Sequence, residues 1–483
     1  MSGFDAVYRD DGVGRPPFDP RAMLALVLYC RSKGFTSTRQ VAAACRDDIG
    51  ARVIMGNRYP DRSTIDRFLS THAAAIQAVL GQSIRLGQEE GLVDVSVIAG
   101  DGSFLLANAA MDATVDERRL RELIEELEEK LVAAEQTWRT SVGDPDVSAP
   151  TLWGESDDAT PAPGGGEVAA WRRMQSLRNV LHSRRRALAH LLAHPNRELL
   201  AWQERLQRDQ QRVADRAEQV EQVRAELQEE AERRQQRVDA GERVSGTRPV
   251  PVEQHTRMKV ANKSLQSAIA RAKTTLAGQP TTAKVNTTDP VSRIIPGKKH
   301  DFDQRHNVQV SACRGQFILA VGLHDSTNDK RALLALLTST RTNLDAAGVT
   351  APIGTAIFDA GYASQANFTA DLPVEQLLVA VSNEARQTGR RTNPVAAGRA
   401  APQDSIDAWA DMAARLDQPA NRVLYKQRSA IIEPVFAQMF CRFGTLINHR
   451  GDDVLTELHL RAATHNFLKI HRQQARREAT AGT

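Results

Sequence analysis

The sequence predicts a mixed α/β protein with an all-helical domain at its N-terminus and a long helical insertion near its middle. Residues 17–90 carry the apolar spacing of short helices, and segments rich in β-branched residues occur near residue 95 and again after residue 306. Between them, apolar residues recur at heptad spacing. A chain of 483 residues exceeds the roughly 250 to 300 at which one core stops growing, so several folded units are expected.

The composition permits a nucleic-acid partner without requiring one, since 63 Lys and Arg residues face 59 Asp and Glu, a net charge of +4. The four cysteines form no CxxC pair, which argues against a zinc site or a disulfide framework and favours a reducing cytoplasm. No stretch of 18 apolar residues occurs, so no membrane contact is predicted. The sequence also lacks a P-loop, an HExxH motif and a GxSxG motif.

Residues 1–90 are predicted to form a helical domain. Pro20 starts one apolar helix that stops at Gly34, and the segment from Pro60 to Thr64 starts another. Three short helices with polar starts are typical of a helix-turn-helix module that binds double-stranded DNA, although any small helical bundle has the same pattern. If the module binds DNA, the reading helix begins near Ser63. The residues expected to face outward from it are Arg62, Ser63, Thr64 and Arg67.

Two β-rich segments each precede an aspartate. In residues 91–112, the apolar VSVIAG precedes Asp101, and in the later block, residues 286–483, IGTAIF precedes Asp359. The later block otherwise alternates strand and helix patterns, as a mixed sheet requires. Residues at the ends of strands in an α/β sheet lie in the crevice where ligands bind, so both carboxylates are candidates for a site. Turn formation is the alternative explanation, because Asp-Gly and Asp-Ala-Gly are common in loops.

Residues 113–285 are predicted to be a helical coiled-coil insertion with a disordered connector at 141–167, which is rich in Pro, Gly, Ser and Asp. A narrow apolar stripe needs a partner helix. For the later stripe we expect the helix over 115–137 of the same chain, or a second protomer, to be that partner. The stripes consist of Leu120, Ile124, Leu127 and Leu131, and of Leu206, Val213, Val220 and Leu227 with Val223.

A third acid, Glu433, lies in a helical segment beside Pro434. Most helical glutamates are simply solvated, so this residue alone indicates little. Together, Asp101, Asp359 and Glu433 are the oxygen ligands that phosphoryl transfer with two Mg²⁺ ions needs, and Mn²⁺ could replace Mg²⁺.

Several motifs in order resemble insertion-sequence transposases of the DDE class, in the branch with a helical N-terminal transposase domain and a Tyr-Arg-Glu signature. The resemblance covers both ends of the chain but not the insertion. The matching segments are RPPFDPRAMLALVLYCRSKGFTSTRQ, YPDRSTIDRF, VIAGDGSFLLANA, TDPVSRI, HNVQV, FDAGYAS, YKQRSAIIEPVFAQMF and NHRGDDVLTELHLRAATHNFLKI.

The resemblance implies a ribonuclease H-like catalytic core interrupted by the insertion. It carries the catalytic, metal-binding acids over to Asp101, Asp359 and Glu433, and the signature DNA-binding residues to Tyr425 and Arg428. An arginine can pair with phosphate in fork geometry, and a tyrosine can stack or donate a hydrogen bond near a cut end. Packing on a helix surface is the alternative role for both. The chain departs from the family with Ser103 where a threonine is common, and with Phe440 where a lysine is common.

The resemblance therefore implies a metal-dependent transposase of the bacterial cytoplasm, associated with the nucleoid. It would hydrolyse phosphodiester bonds at the ends of a mobile element and join the ends to target DNA, as a homodimer or larger assembly on DNA. One alternative is a catalytically silent relic that still binds DNA sequence-specifically. A coiled-coil scaffold is another, but it leaves the β-rich segments unexplained. Metal-dependent cleavage of end-sequence DNA distinguishes the first from the other two.

Overall fold

A computed structural model describes Phe4 and residues 17–142, 165–194, 197–242, 250–280, 283–297, 301–327, 329–381 and 403–481. The chain forms two compact units: the first holds the described residues of 1–190, 285–394 and 402–483, and the second holds those of 191–284. The prediction of a mixed α/β protein with N-terminal helices is confirmed. Of the connector predicted to be disordered at 141–167, residues 143–164 lie outside the described residues, whereas 141–142 and 165–167 lie in helices, so the predicted bounds are too wide.

The N-terminal region is helical, and its helices begin at the residue types that cap them. Asp19 accepts from the backbone of α1, Ser37 and Gln40 form a reciprocal capping box on α2, and Asp61 accepts from Thr64 N at the start of α4. The helices are α1 (Pro20–Ser32), α2 (Thr38–Asp47), α3 (Ile49–Ile54), α4 (Arg62–Thr71) and α5 (Ala73–Glu89). Their apolar faces share a core that includes Leu460 and Ala463 from the last helix of the chain.

A mixed sheet forms the centre of the first unit. Its strands are β1 (Val97–Ala107), β4 (Arg293–Pro296), β5 (Phe302–Cys313), β6 (Phe317–His324), β7 (Thr355–Phe358), β8 (Gln376–Val379) and β9 (Leu446–Ile447). The order along the main path is β4-β5-β1-β7-β8, with β6 also paired to β5 and β9 to β1. The β1–β5 and β5–β6 pairs are antiparallel, and the β1–β7 and β7–β8 pairs are parallel. The short strands β2 (Thr114–Asp116) and β3 (Lys284–Asn286) form a separate pair.

Strand β1 is longer than the sequence predicts. The prediction that the strand ends at Asp101 is wrong, because β1 continues to Ala107 and pairs with β5 from Ile98 to Leu106. The long antiparallel partner outweighs the turn preference of Asp101-Gly102. On its other edge, β1 pairs with β7 only at 97–99 and with β9 only at 106–107. Asp101 therefore lies just beyond the point where the parallel strand β7 ends.

Helices cover the sheet and carry the C-terminal part of the chain. Helix α10 packs against β6 and β5, α14 against β1 and β5, and α15 against β6 and α5. These helices are α10 (Ala332–Ala346), α11 (Gln365–Thr369), α12 (Gln403–Asp417), α13 (Pro419–Tyr425), α14 (Arg428–Phe443) and α15 (Asp453–Ala481). The buried faces are apolar, so the sheet and these helices form one hydrophobic core.

The helices α6 (Glu117–Val142) and α7 (Gly165–Ala193) follow β2. Leu120 and Ile124 of the predicted apolar stripe are buried. Ion pairs join the two helices, from Arg178 Nη2 to Glu135 Oε1 at 2.6 Å and from Arg185 Nη2 to Glu128 Oε1 at 2.8 Å. As the residue number falls on α6 it rises on α7, so the two helices run antiparallel.

The second unit pairs the helices α8 (Arg197–Asp239) and α9 (Thr256–Ala277). Val220 and Leu227 of α8 are buried against Met258 and Ala261 of α9. The prediction that the 115–137 helix supplies the partner is therefore wrong. A stripe of apolar residues specifies that a partner is needed but carries no information on which helix provides it.

None of the helices in the described ranges is long and apolar enough to cross a membrane.

Candidate active site

The parallel pairing of β1 and β7 brings two of the predicted acids together. The last paired residues are Ala99 and Ile357, and continuing the register by two positions sets Asp101 beside Asp359. Asp359 follows directly after β7, and its Oδ1 accepts from Gly361 N at 2.8 Å, which starts a tight turn. Both acids therefore lie where the β1–β7 pairing ends, in a crevice of the kind that binds ligands, although β1 itself continues to Ala107.

Close packing beneath the two acids depends on Gly100. A Cβ atom at this position would lie 2.2 Å from Cε1 of Phe358, so any side chain would displace the ring. Phe358 in turn packs edge-on against Tyr362, with ring centroids 4.8 Å apart. The VIAGD and FDAGY segments are thus complementary in shape.

Helix α14 contributes Arg428 and Glu433. The Arg428 side chain is 6% exposed; its Nη1 lies 3.0 Å from Asp101 Oδ2 and its Nη2 lies 3.5 Å from Glu433 Oε1. Glu433 is 60% exposed, so its carboxylate reaches the site from the solvent side. One guanidinium therefore bridges the acid on the central strand and the acid on the helix.

Pro434 shapes the helix segment that carries these two residues. A proline has no N–H, so the carbonyl four residues earlier, that of Ala430, loses its helical donor. The Gln316 side chain, in the turn between β5 and β6, donates to this carbonyl at 3.3 Å. The Ile-Ile-Glu-Pro sequence is thus tolerated because a neighbouring hairpin supplies the missing donor.

Tyr425, the other signature residue, lies at the end of α13. Its hydroxyl donates to the carbonyl of Phe358 at 3.2 Å, directly before Asp359. The structure therefore places Tyr425 beside the second acid. Phe440 instead packs against Phe436 and the main core, with ring centroids 5.8 Å apart.

Burial and charge oppose each other at Asp101. Burial raises the pKa of Asp101 above its ordinary value, the charge of Arg428 lowers it, and the charge of Asp359 raises it again. For Arg428, burial acts to lower the pKa, but the charge and hydrogen bond of Asp101, together with the charges of Tyr425 and Asp359, outweigh burial and the pKa is raised. Asp101 and Arg428 thus attract each other in a poorly solvated place.

A fourth carboxylate, Asp329, lies next to these acids and is not predicted from the sequence. Its Oδ1 accepts from Asn307 Nδ2 at 3.0 Å and from Gln309 Nε2 at 2.8 Å, and a Cβ on Gly102 would approach it to 3.0 Å. The hydroxyl of buried Tyr362 donates to Gln309 Oε1. Burial, followed by the charges of Asp329, Asp101 and Asp359, raises the pKa of Tyr362 well above its ordinary value.

A sequence signal for this network exists on β5. The polar residues Asn307, Gln309 and Ser311 are spaced by two on β5, where the other residues from 308 to 313 are apolar, and all three are buried. Alternation places them on one face of the sheet, where buried polar side chains need partners. Such a polar stripe marks β5 as the strand beneath a site.

The donor chemistry of the acids suits a hard divalent cation, because all candidate ligands are carboxylate oxygens. Within the described ranges, however, no three Asp, Glu, His or Cys side chains are arranged to hold an ion. The Arg428 guanidinium lies between Asp101 and Glu433, where it neutralises the charge that an ion would.

The candidate DNA-binding residues lie on α4, as predicted for a helix beginning near Ser63. Arg62, Ser63 and Arg67 are exposed and Thr64 is half-buried, while Ile65, Phe68 and Leu69 face the core. Ser63 Oγ donates to Asp61 Oδ1 at 2.9 Å, and Arg62 Nε lies 3.3 Å from Asp66 Oδ2.

Comparison with known proteins finds a match for one region of the chain. No curated protein matches the chain, and no solved structure matches it. Residues 1–71, which contain α1 to α4, match the family model described as Transposase domain (DUF772). This match supports a transposase family for the chain.

Proposed function

We propose that the protein is a DNA transposase that cleaves the ends of a mobile element and joins them to target DNA. The observation that carries the proposal is the register of β1 and β7, which sets Asp101 beside Asp359 with Arg428 and Glu433 of α14 within reach. The family match of residues 1–71 supports the same class and implies DNA binding.

The sheet order supports a ribonuclease H-like core. Counting only β1, β5, β6, β7 and β8 in chain order, the strands lie in the order 3-2-1-4-5. The first three are antiparallel neighbours, and the last two are parallel to β1. In this arrangement Asp101 on β1 and Asp359 after β7 are neighbours. Glu433, on a helix late in the chain, can be the third acid.

Asp101, Asp359 and Glu433 are the residues that would hold Mg²⁺ or Mn²⁺. When bound, two such ions activate the attacking oxygen and stabilise the leaving oxygen of a phosphodiester. The side chains supply positioning: the sheet fixes Asp101, the Gly361 N–H orients Asp359, and Arg428 offers a planar fork that fits either a carboxylate or a phosphate. Exchange of Arg428 from Asp101 to a DNA phosphate would free the carboxylate for an ion.

The catalytic proposal is tested with Asp101→Asn, Asp359→Asn and Glu433→Gln in the full chain. Each change removes a ligand charge at nearly constant shape. Because metal ions supply several kcal/mol of charge stabilisation and about 1.4 kcal/mol is a factor of ten, Mg²⁺-dependent cleavage of end-sequence DNA should fall by roughly a thousandfold or more. Asp371→Asn, at an exposed aspartate, is the matched control.

Binding of the same DNA by gel shift distinguishes the alternatives. Retained binding with lost cleavage supports the proposal. A wild-type chain that binds end DNA but never cleaves it, with Mg²⁺ or Mn²⁺, would identify the catalytically silent DNA-binding relic instead. Equal loss of binding in all three variants would mean that the acids serve folding.

We further propose that α4 reads the element ends. Arg62→Ala with Arg67→Ala should weaken binding and reduce the preference for end sequence, since both guanidinium groups are exposed where they can contact phosphates and bases, and the surface pair of Arg62 with Asp66 is weak. Arg52→Ala with Arg85→Ala removes the same charge from neighbouring helices and serves as the control. An unchanged preference in the Arg62 and Arg67 variant would assign recognition to another element.

Joining two ends to a target also requires protomers to pair on DNA, which cross-linking on paired-end DNA would detect.

A further inference from the structure

A second charged site, which we call the basic pocket, lies where α1, α14 and α15 meet. Its cavity of about 340 Å³ is lined by Lys33, Gln438, Arg442, His465, Lys469 and Arg472, among others. No aspartate or glutamate of the described chain lines it. It is therefore an opening whose walls carry charge of one sign.

The backbone around Gly34 brings the end of α1 close to the end of α14. Gly34 has a φ of +86°, and a Cβ there would lie 3.1 Å from the carbonyl oxygen of Arg442. Arg442 Nη1 donates to the carbonyl of Ser32 across the same joint. The basic pocket thus lies at a fixed junction between the N-terminal helices and α14.

One face of α15 supplies the rest of the wall. His465, Lys469 and Arg472 are spaced by four and three residues, which places them on one side of a helix. Lys469 Nζ donates to the carbonyl of Gly315 at 2.9 Å, and His465 Nε2 lies 2.8 Å from the carbonyl of Gln316. These partners are neutral, so they satisfy hydrogen bonds without balancing charge.

The charge balance of the basic pocket is unusual. Lys33 is paired with Asp48 at 2.7 Å, but Arg442, Lys469 and Arg472 form no ion pair in the described ranges. Burial and then the charge of Arg472 lower the pKa of Lys469. Burial lowers the pKa of His465 to about 4, with Lys469, Arg472 and Arg442 adding to the shift, so His465 is neutral near pH 7. Lys469 and Arg472 therefore repel each other, and neither has a counter-ion in the described ranges.

Interaction with the dipoles of helix ends does not explain why these basic side chains cluster. A basic side chain in the last turn of a helix is stabilised by the helix dipole, and Arg442 fits that role. Lys469 and Arg472 lie well inside α15, more than two turns from its end at Ala481. Arg472 is exposed and Lys469 is half-buried, so both charges are accessible to a ligand, and the polar lining of the cavity suits a hydrogen-bond acceptor such as phosphate.

We infer that the basic pocket binds a backbone phosphate of duplex DNA, at a point separate from the cleavage site. This inference rests on the proposed function for the identity of the phosphate. Arg442 follows Glu433 by nine residues, a rise of about 14 Å and about two and a half turns, so the two side chains leave opposite sides of α14. That rise equals roughly four base pairs of duplex, so the bound phosphate is not the one cut.

The first test measures the affinity of the full chain for a labelled duplex at several salt concentrations, without divalent ions, so that no cleavage occurs. Arg472→Glu should weaken binding about tenfold and reduce the salt slope by about one phosphate contact. Lys259→Glu, at an exposed lysine of α9, makes the same change in net charge and should have a much smaller effect. Arg472→Lys should retain most of the affinity.

The second test needs no substitution in the basic pocket. Cys441 lines it and is exposed, whereas Cys30, Cys45 and Cys313 are buried. Saturating duplex should therefore slow maleimide labelling of Cys441 severalfold. Inorganic pyrophosphate is the competing probe: protection by pyrophosphate alone, with no protection by duplex, would overturn the inference in favour of a small-anion site.

Two other outcomes also overturn the inference. One is an Arg472→Glu variant with unchanged duplex affinity, whatever its stability, because a purely structural role alters melting and not the salt slope. The other is a wild-type chain that binds no duplex, which removes the DNA-binding part of the proposed function as well. A chain that binds through Arg472 but never cleaves retains this inference and loses only the proposed catalysis.

Discussion

Helices α1 and α15 meet at two charged sites, of which one contains a carboxylate and the other does not. At the first, Glu457 of α15 accepts from His449 and Arg461 and lies near Arg31 of α1; its side chain is fully buried. At the second, the basic pocket, Lys33, which directly follows α1, and Lys469 and Arg472 of α15 line a cavity that no carboxylate lines in the described chain; of these three cations only Lys33 has an ion-pair partner, Asp48. Removing the carboxylate of the first site would leave buried charges unbalanced, whereas the cations of the basic pocket are accessible to an anionic ligand.

Both oxygens of the carboxylate at the first site accept hydrogen bonds. Glu457 Oε2 accepts from the backbone N–H groups of Asn448 and His449, and its Oε1 accepts from Arg461. Burial acts to raise the pKa of Glu457, but the hydrogen bond from His449 and the charges of Arg461 and Arg31 hold it well below its ordinary value. Arg461 also donates to the carbonyls of Gly444 and Leu446. This network is structural.

The largest effect on stability is expected for Glu457→Gln. The change leaves Arg461 and Arg31 buried without a counter-charge, so the free energy of unfolding should fall by about 3 kcal/mol. Denaturation by urea, followed by circular dichroism, measures the change. Glu478→Gln, at an exposed glutamate of the same helix, should alter stability by less than about 0.5 kcal/mol. Similar values for the two variants would contradict the comparison.

The pH dependence of stability tests whether the negative charge of Glu457 stabilises the fold. Because the pKa of Glu457 is depressed in the folded protein, its contribution is present above the unfolded pKa and is lost as pH falls below it. The gap in unfolding free energy between the wild type and Glu457→Gln should therefore narrow as pH falls below about 4.3. A gap that stays constant into that acid range would show that the charge of Glu457 is not what matters.

An intermediate effect is expected at the candidate active site, where one guanidinium serves two acids. Arg428→Ala leaves Asp101 largely buried without its counter-charge and should cost about 1 to 3 kcal/mol. Since burial already raises the pKa of Asp101, the cost should be greatest at neutral pH, shrink as pH falls through that raised pKa, and be small below about pH 4, where the carboxyl is largely protonated with or without Arg428. Adding Asp101→Asn should restore much of the loss at neutral pH, and a double variant no more stable than Arg428→Ala would refute this account.

The smallest effect on stability is expected in the basic pocket. Arg472→Ala removes a cation that has no ion-pair partner in the described chain, so the free energy of unfolding should change by less than about 0.5 kcal/mol, with a slight gain in low salt as repulsion with Lys469 falls. Thermal melting at two salt concentrations measures this. A loss comparable to that of Glu457→Gln would place Arg472 among the structural residues.

The sequence indicates that Asp101 and Asp359 lie close together, but it does not indicate the other residues around them. Asp101 and Asp359 each follow an apolar β-rich segment, and parallel pairing of two such segments is enough to make the acids neighbours. Glu433 has no such local signal and depends on resemblance. Asp329 is held by Asn307 and Gln309, 22 and 20 residues earlier, so only the register of β5 against its neighbours reveals it.

The helical insertion shows the same limit at a larger scale. Heptad spacing correctly identifies the buried residues Val220 and Leu227, because periodicity is a property of one helix. The choice of α9 as the partner depends on the packing of another helix, and the stripe on α8 does not encode it. Likewise, the extension of β1 past Asp101 is set by the length of β5.

Pro434 has a consequence for how the candidate site could adjust. Asp101 is fixed in the middle of a paired strand, whereas Arg428 and Glu433 lie on the first two turns of a helix that lacks one internal hydrogen bond. We therefore expect that first portion of α14 to tilt against the remainder more easily than in an uninterrupted helix, with the Gln316 amide following or releasing the Ala430 carbonyl. Amide hydrogens there should exchange with solvent sooner than those of β1. Any tightening of the three acids around a ligand would therefore be a movement of the helix toward an immobile strand.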